Sequence, residues 1–302
     1  MILLGSASLT FYNCGELQRD RPAMSIYHQT DLVTLYQGDC LEVMPQLEAR
    51  SFDAIICDLP YGTTACKWDS VIPFEPLWEQ YKRLIKPNGA IVLFGSQPFT
   101  SMLVMSNLQW FKHEWIWRKN FGSNFLNAKR QPMKEHESVL VFGLNAITYN
   151  PQKIKRAPSG AARTKYKLQG GAVAGRGSDA YGKRDINIRS YAKEDQALRT
   201  PSSVLDFDLT ERGLHPTQKP IALLEYLAKT YTNEGDMILD NTCGSGSLLV
   251  AARNTNRRAV GIEMDEGYCR VAAGRLGRFE PSEFEVDKKA VEGQLGLFGA
   301  IA

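Results

Sequence analysis

Asp236-Met237-Ile238-Leu239-Asp240-Asn241-Thr242-Cys243-Gly244-Ser245-Gly246-Ser247 is an apolar run that ends in an acid and then turns through two glycines. Met237 to Asp240 reads as a strand, and the stretch Leu248 to Asn254 behind the turn reads as a helix. Between them, Gly244 and Gly246 let backbone approach a ligand closely. A second strand, Ala259-Val260-Gly261-Ile262-Glu263, ends in another acid. A glycine loop after one strand and a carboxylate after the next is how an α/β half-sheet holds a nucleoside, the acid taking the ribose hydroxyls. The segment has neither GxGxxG nor Gly-Lys-Ser/Thr, so a nucleoside without a pyrophosphate is expected. An ordinary glycine turn is the alternative.

Much earlier in the chain, Ala54-Ile55-Ile56-Cys57 runs into Asp58-Leu59-Pro60-Tyr61-Gly62. A strand that stops in an acid, a proline and an aromatic brings together a fixed carboxylate, a carbonyl freed from the ladder and a ring face. Such a group can hold a planar amine. The carboxylate of Asp58 and a turn carbonyl would each accept one hydrogen of an exocyclic amino group, and Tyr61 would stack on its ring. Two acceptors pull the amine toward tetrahedral geometry and free a lone pair otherwise delocalised into the ring, an electrostatic preorganisation. A plain strand-to-turn junction would show the same punctuation.

Strand and helix patterns alternate along the chain, as in a mostly parallel sheet. Val33 to Gly38, Ala54 to Asp58 and Ala90 to Gly95 are predicted strands. Phe74 to Lys86 is a predicted helix with Leu77, Tyr81, Leu84 and Ile85 inward and Lys86-Pro87-Asn88-Gly89 as its stop. Trp115-Ile116-Trp117 and Ser138 to Phe142 are predicted to form a closing hairpin.

Together the two motifs resemble the amino DNA methyltransferases, which transfer a methyl group from S-adenosylmethionine to adenine N6 or cytosine N4. The family's catalytic motif, (D/N/S)PP(Y/F/W), stands here as Asp58-Leu59-Pro60-Tyr61, with Leu59 in place of the first proline. His215-Pro216-Thr217-Gln218-Lys219-Pro220 matches the family's HPTQKP segment, and the motif order resembles the permuted beta class. The resemblance implies a Rossmann-like methyltransferase fold: α/β, permuted, with a mostly parallel seven-stranded sheet and an inserted target-recognition region. It implies catalytic roles for Asp58, Pro60 and Tyr61. It places the cofactor S-adenosylmethionine against Asp39, Cys40, Asp58, Thr217, Lys219, Asp240, Thr242, Cys243, Gly244, Gly246 and Glu263. Lys219 would meet the methionine end of the cofactor as a charge-assisted pair. Thr217 would do the same, or would cap the helix carrying Ile221, Leu224, Ala228 and Tyr231. The family pattern also matches Trp117, Lys119 and His136-Glu137; His136 has either a place in the target pocket or a structural hydrogen bond at a strand start. No metal is expected.

The implied layout is an N-terminal extension (1–24), a catalytic half (25–150), a basic DNA target-recognition insertion (151–212), a cofactor half (213–280) and a C-terminal tail (281–302). Charge agrees with the insertion. Residues 151–200 hold 12 Lys or Arg against 4 Asp or Glu, a net +8, while the whole chain of 302 residues is only +3. A segment so basic, with Tyr166 among its lysines and arginines, suits a phosphate-tracking surface that orders on DNA, and a solvated loop is the bland alternative. The cysteines Cys14, Cys40, Cys57, Cys66, Cys243 and Cys269 show no CxxC and read as free thiols of a cytoplasmic protein. No Pro-Cys dipeptide supplies the nucleophile of carbon-5 cytosine methylation. No apolar run approaches the roughly 20 residues of a membrane span.

The implied activity is direct methyl transfer to adenine N6 of a flipped base in double-stranded DNA, the aspartate form of the motif favouring adenine over cytosine N4. A second copy of the chain is an expected partner. Gln294-Leu295-Gly296-Leu297-Phe298 resembles the short peptide that docks bacterial proteins on the replisome's sliding clamp. A protein-glutamine or RNA methyltransferase, and a DNA-binding module of the same fold without activity, are the competing readings.

Overall fold

The computed structural model describes residues 25–63, 69–123, 125–155, 198–209 and 218–277. Its strands are β1 (Ser25–Gln29), β2 (Val33–Gln37), β3 (Phe52–Cys57), β4 (Ile85–Gly95), β5 (Phe111–Ser123), β6 (Lys134–Phe142), β7 (Ile154–Lys155), β8 (Leu198–Arg199), β9 (Val204–Asp206), β10 (Met237–Asp240) and β11 (Arg258–Glu263). Its helices are α1 (Cys40–Val43), α2 (Phe74–Leu84), α3 (Phe99–Ser106), α4 (Ile221–Tyr231), α5 (Ser247–Asn254) and α6 (Glu266–Arg275).

One nine-stranded sheet dominates, in the order β1-β2-β11-β10-β3-β4-β6-β5-β9. The strands from β2 to β4 in that order run parallel, while β6 is antiparallel to both β4 and β5. The expected seven strands are the central ones, and short β1 and β9 extend the edges by pairing with β2 and β5. The permuted closure follows: β11 pairs with β2 at Ala259↔Val33, and β10 pairs with β3 at Ile238↔Ala54.

The central strands are apolar on both sides because both faces are covered. Ala54, Ile56 and Ile238 point into a cluster with Leu223, Leu227, Leu249 and Ala272 from α4, α5 and α6. Their neighbours Ile55, Cys57 and Leu239 point the other way, against Val43, Leu77, Trp78, Leu84 and Leu103 from α1, α2 and α3. Each large apolar side chain fully buried in these layers contributes roughly 1.5–3 kcal/mol.

Two boundaries differ from the sequence expectation. α2 stops at Leu84, and Lys86 to Gly89 lie inside β4 as a bulge: Phe52 pairs with Ile85, and the ladder resumes with Ala54 opposite Ala90. Lys86 bends back to Asp53 at 2.7 Å, so the stop signals shape an irregular strand start rather than a loop. α4 begins at Ile221 with Pro220 at its cap position and no side-chain cap bond; Thr217, the expected cap, lies outside the described residues. The far end of α4 is tied to β5, since Tyr231 Oη accepts from Trp115 Nε1 at 2.6 Å and lies 2.8 Å from His113 Nε2. That tie sets where the segment just ahead of α4 meets the sheet. Of the basic insertion, β7, β8 and β9 are described, whereas 156–197 and 210–217 lie outside the described residues.

Candidate active site

β3 and β10 are neighbours whose chains wind away in opposite directions, so their ends form the crevice where open α/β sheets bind ligands. Asp58 follows β3 and Asp240 ends β10. The carbonyl of Asp58 accepts a hydrogen bond from Thr242 Oγ1 at 3.1 Å, which ties the acid-Pro-aromatic turn to the glycine loop across 184 positions of sequence. Asp58 Oδ1 accepts from Tyr61 Oη at 2.5 Å. The Tyr61 ring is stacked on Phe99 at 5.1 Å between centroids, so Phe99 fixes the ring plane. Beyond Tyr61, the N–H groups of Gly62 and Thr63 donate to the carboxylate oxygens of Asp69 at 2.8 and 2.9 Å. Leu59 is buried in the cluster under α2 and α3. An apolar anchor below and the Asp69 clasp beyond fix a turn that lacks its first proline.

Asp58 Oδ2 forms an ion pair with Lys219 Nζ, which is also 3.4 Å from Glu137 Oε2, and Glu137 Oε1 pairs with Lys119 Nζ. Carboxylates and ammoniums therefore alternate from Asp58 to Lys119. Burial holds the Asp58 carboxyl above its ordinary range, outweighing the Lys219 ammonium beside it. For Glu137 the balance reverses: burial opposes its charge, but Lys219 and Lys119 together hold it below the usual carboxylate range. Burial likewise opposes charge on Lys219, and Asp58 and Glu137 overcome it and raise its pKa. Lys219, expected opposite a cofactor carboxylate, is thus engaged by two carboxylates of the chain itself, the nearest partners for a buried ammonium.

A cavity of about 320 Å³ opens beside this network. Of the residues predicted to hold the cofactor, Asp39, Cys40, Asp58, Lys219, Asp240, Thr242, Cys243, Gly244 and Glu263 line it, and Pro60 joins them. Gly244 takes a left-handed φ of 50° and donates its N–H to Glu263 Oε2 at 2.8 Å, while Asp265 N–H donates to Oε1 at 2.8 Å. Two backbone donors hold that carboxylate in place at the cavity wall with lone pairs left over, which fits the hydroxyls of a ribose. Asp39 accepts from Leu41 N–H at 2.8 Å and so caps α1, turning Cys40 and Leu41 to the cavity. Burial raises the Asp240 carboxyl to about 8.

Gly246 does not line the cavity. A Cβ there would stand 2.8 Å from Ala272 Cβ, so its bareness lets α5 pack on α6, a packing role where a cofactor contact was expected. Thr217 lies outside the described residues, and His136 is exposed. The sequence showed no signal for the Asp69 clasp or the Phe99 support. Glu137 and Lys119 stood out only as matches to a pattern, without a role.

A permuted α/β sheet with a nucleoside-sized cavity at its switch point, lined by the motif's acid and proline with Tyr61 bonded to that acid just behind, defines the class of Rossmann-like methyltransferases. The DNA methylase family of N6 and N4 methyltransferases matches residues 52–274, and the chain belongs to that family. It is 27% identical over 259 residues to the type II methyltransferase M.HpaI of Haemophilus parainfluenzae, covering 79% of this chain and 72% of the relative. With the type II methyltransferase M2.DpnII of Streptococcus pneumoniae it shares 26% identity over 277 residues, 83% of this chain and 91% of the relative. Among solved structures, the cytosine-N4-specific PvuII DNA methyltransferase has the same fold at a TM-score of 0.59 and 12% identity, covering 93% of this chain and 97% of that one. M1.HpyAVI, solved with S-adenosylmethionine, matches at a TM-score of 0.54 and 23% identity, covering 81% of this chain and 100% of that one. The protein is thus an amino DNA methyltransferase, and S-adenosylmethionine is its methyl donor.

Proposed function

We propose that the protein methylates adenine N6 in double-stranded DNA, acting on a base flipped out of the helix. The observation that carries this reading is Asp58 at the cavity mouth, its carboxylate fixed by Tyr61 and its backbone by Thr242. S-adenosylmethionine, when bound, supplies a methyl group on a sulfonium. Glu263, held by two backbone donors, suits its ribose hydroxyls, and Asp39, Cys40, Asp240, Thr242, Cys243 and Gly244 complete the surrounding wall. Asp58 accepts one amino hydrogen of the target, and a carbonyl of the Leu59-Pro60 turn accepts the other. The amine lone pair is thereby turned toward the cavity. Burial raises the basicity of Asp58 and so strengthens it as an acceptor. Phe99 and the Asp58 hydrogen bond hold Tyr61 in one plane, ready to stack on the flipped base.

An acid at the head of the motif supports adenine over cytosine. Transfer of labelled methyl to unmethylated duplex DNA, followed by digestion to nucleosides, reads the base directly. N6-methyladenine is expected; N4-methylcytosine would overturn the base assignment, and label in RNA or protein would overturn DNA as the substrate. The basic insertion supports duplex binding by its charge. Unpaired Cys40, Cys57, Cys243 and Cys269 agree with a cytoplasmic location. A second copy of the chain as partner rests on the family resemblance, and sedimentation reads it. Sliding-clamp docking rests on the sequence Gln294 to Phe298 alone, which lies outside the described residues. Deleting 294–302 is expected to weaken clamp binding, and unchanged binding ends the idea.

A further inference from the structure

Glu137 has one carboxylate oxygen closely paired with Lys119 and the other held only by a longer ion-pair contact with Lys219. Oε1 is paired with Lys119. Oε2 is buried and accepts no well-formed hydrogen bond, although Lys219 Nζ lies 3.4 Å away. A buried charged acceptor without a close hydrogen bond is costly. An acceptor held so loosely therefore needs a reason.

Asp58 supplies one. Oδ1 is taken by the Tyr61 hydroxyl and Oδ2 by the Lys219 ammonium. A target amine that seeks Oδ2 must compete with a full positive charge. Lys219 cannot simply leave, because its Nζ lies 5.1 Å from the Phe94 ring and 5.9 Å from the Tyr61 ring, in largely apolar company. Stranding an ammonium there would be strongly unfavourable. The nearest acceptor with room for a closer hydrogen bond is Glu137 Oε2, 3.4 Å away.

We propose that Glu137 is a positioning residue that takes over Lys219 when the target amine docks on Asp58, so that the amine replaces the ammonium on Oδ2 while every buried charge keeps a partner. No proton moves in the exchange: Lys219 stays an ammonium, and both carboxylates stay ionised. Lys119 holds Glu137 in place and neutralises it, so that in the resting site Lys219 sits closer to Asp58 than to Glu137. The proposal rests on the reading of Asp58 as the amine acceptor.

The test uses the full-length Glu137→Gln, Glu137→Asp, Lys119→Met and Asp58→Ala variants. Methyl transfer to duplex DNA is followed in single turnover at saturating S-adenosylmethionine from pH 5 to 9, beside cofactor affinity and unfolding temperature. The groups facing the Asp58 carboxyl are Lys219 ahead of α4, Glu137 on β6, Tyr61 on its own turn and Asp240 on β10, with Lys119 behind Glu137. Glu137→Gln removes a negative neighbour of Asp58 and leaves Lys219 to it alone; both effects lower the pH at which Asp58 ionises.

The plateau rate of Glu137→Gln is expected to fall by about tenfold or more while the acid limb moves to lower pH. Cofactor affinity should stay within about threefold, and Glu137→Asp should recover part of the rate. Lys119→Met, which frees Glu137 to draw Lys219 away and removes a cation, should move the acid limb to higher pH. A Glu137→Gln plateau within about threefold of the parent overturns the proposal. So does a lost plateau with an unmoved acid limb, the mark of packing damage alone. If Glu137→Gln does not fold, an unmoved or downward limb in Lys119→Met overturns it. Full transfer by Asp58→Ala would instead refute the reading of Asp58; a dead Asp58→Ala beside a normal Glu137→Gln would refute only the exchange.

Discussion

Asp240 is where burial and charge conflict most measurably. Its carboxyl is raised to about 8 because the end of β10 is covered on both sides, and the Thr242 N–H at 3.2 Å returns only part of what solvent gave. In the unfolded chain the same group ionises in the ordinary carboxylate range. Between those values the folded protein keeps a proton that the unfolded chain releases. The stability tied to that proton is therefore full below the ordinary range and is lost as pH rises toward 8. Asp240→Asn cannot ionise, and its amide oxygen can still accept from Thr242. The parent should lose stability relative to Asp240→Asn between pH 5 and 8, by an amount on the order of a few kcal/mol. Urea unfolding across that range checks it, and parallel profiles would refute it.

At the scale of elements, the turn from β10 into α5 shows two glycines with different work. Gly244 faces the cavity, while Gly246, at φ 74°, gives up its side chain to Ala272 of α6. Gly246→Ala places a Cβ both in the left-handed region, at about 1–2 kcal/mol, and against a packed helix, at about 1–3 kcal/mol. Its urea midpoint should fall accordingly while S-adenosylmethionine affinity of the folded protein stays within about threefold. A stable variant that has lost cofactor binding would return Gly246 to the binding loop. The five parallel strands were legible in sequence, four of them to within a few residues, because a parallel sheet covered on both faces demands unbroken apolar runs such as Ala54 to Cys57, whereas β1, β7, β8 and β9 were not. The ends of elements were less legible. Lys86-Pro87-Asn88-Gly89 carries every sign of a helix stop, and only the Lys86–Asp53 ion pair shows that the chain is already in a strand. α4 starts at Ile221 behind Pro220 with no side-chain cap bond, so no hydrogen-bonding cap marks its start.

For the whole molecule, the sheet order converts two distant motifs into one site. Asp58 and Thr242 meet because β3 and β10 pair, and the permuted chain closes because β11 pairs with β2. The motifs themselves were legible, since their chemistry is local: an acid, a proline and a ring at one strand end, glycines and an acid at two others. The charge network was not. Lys119, Glu137 and Lys219 come from β5, β6 and the approach to α4, and nothing in their local sequence says that β6 turns back beside β4 to set Glu137 near Asp58. The Asp69 clasp that steadies the turn after Leu59 was hidden for the same reason, being a side chain closing on backbone seven residues away.

The central claim is that Asp58 holds the amine that receives the methyl group. Its most direct test is the Asp58→Ala variant, assayed side by side for S-adenosylmethionine binding and for transfer of labelled methyl to duplex DNA. Binding should persist while transfer falls by at least about a hundredfold. Near-normal transfer by a variant that still binds the cofactor would contradict the account.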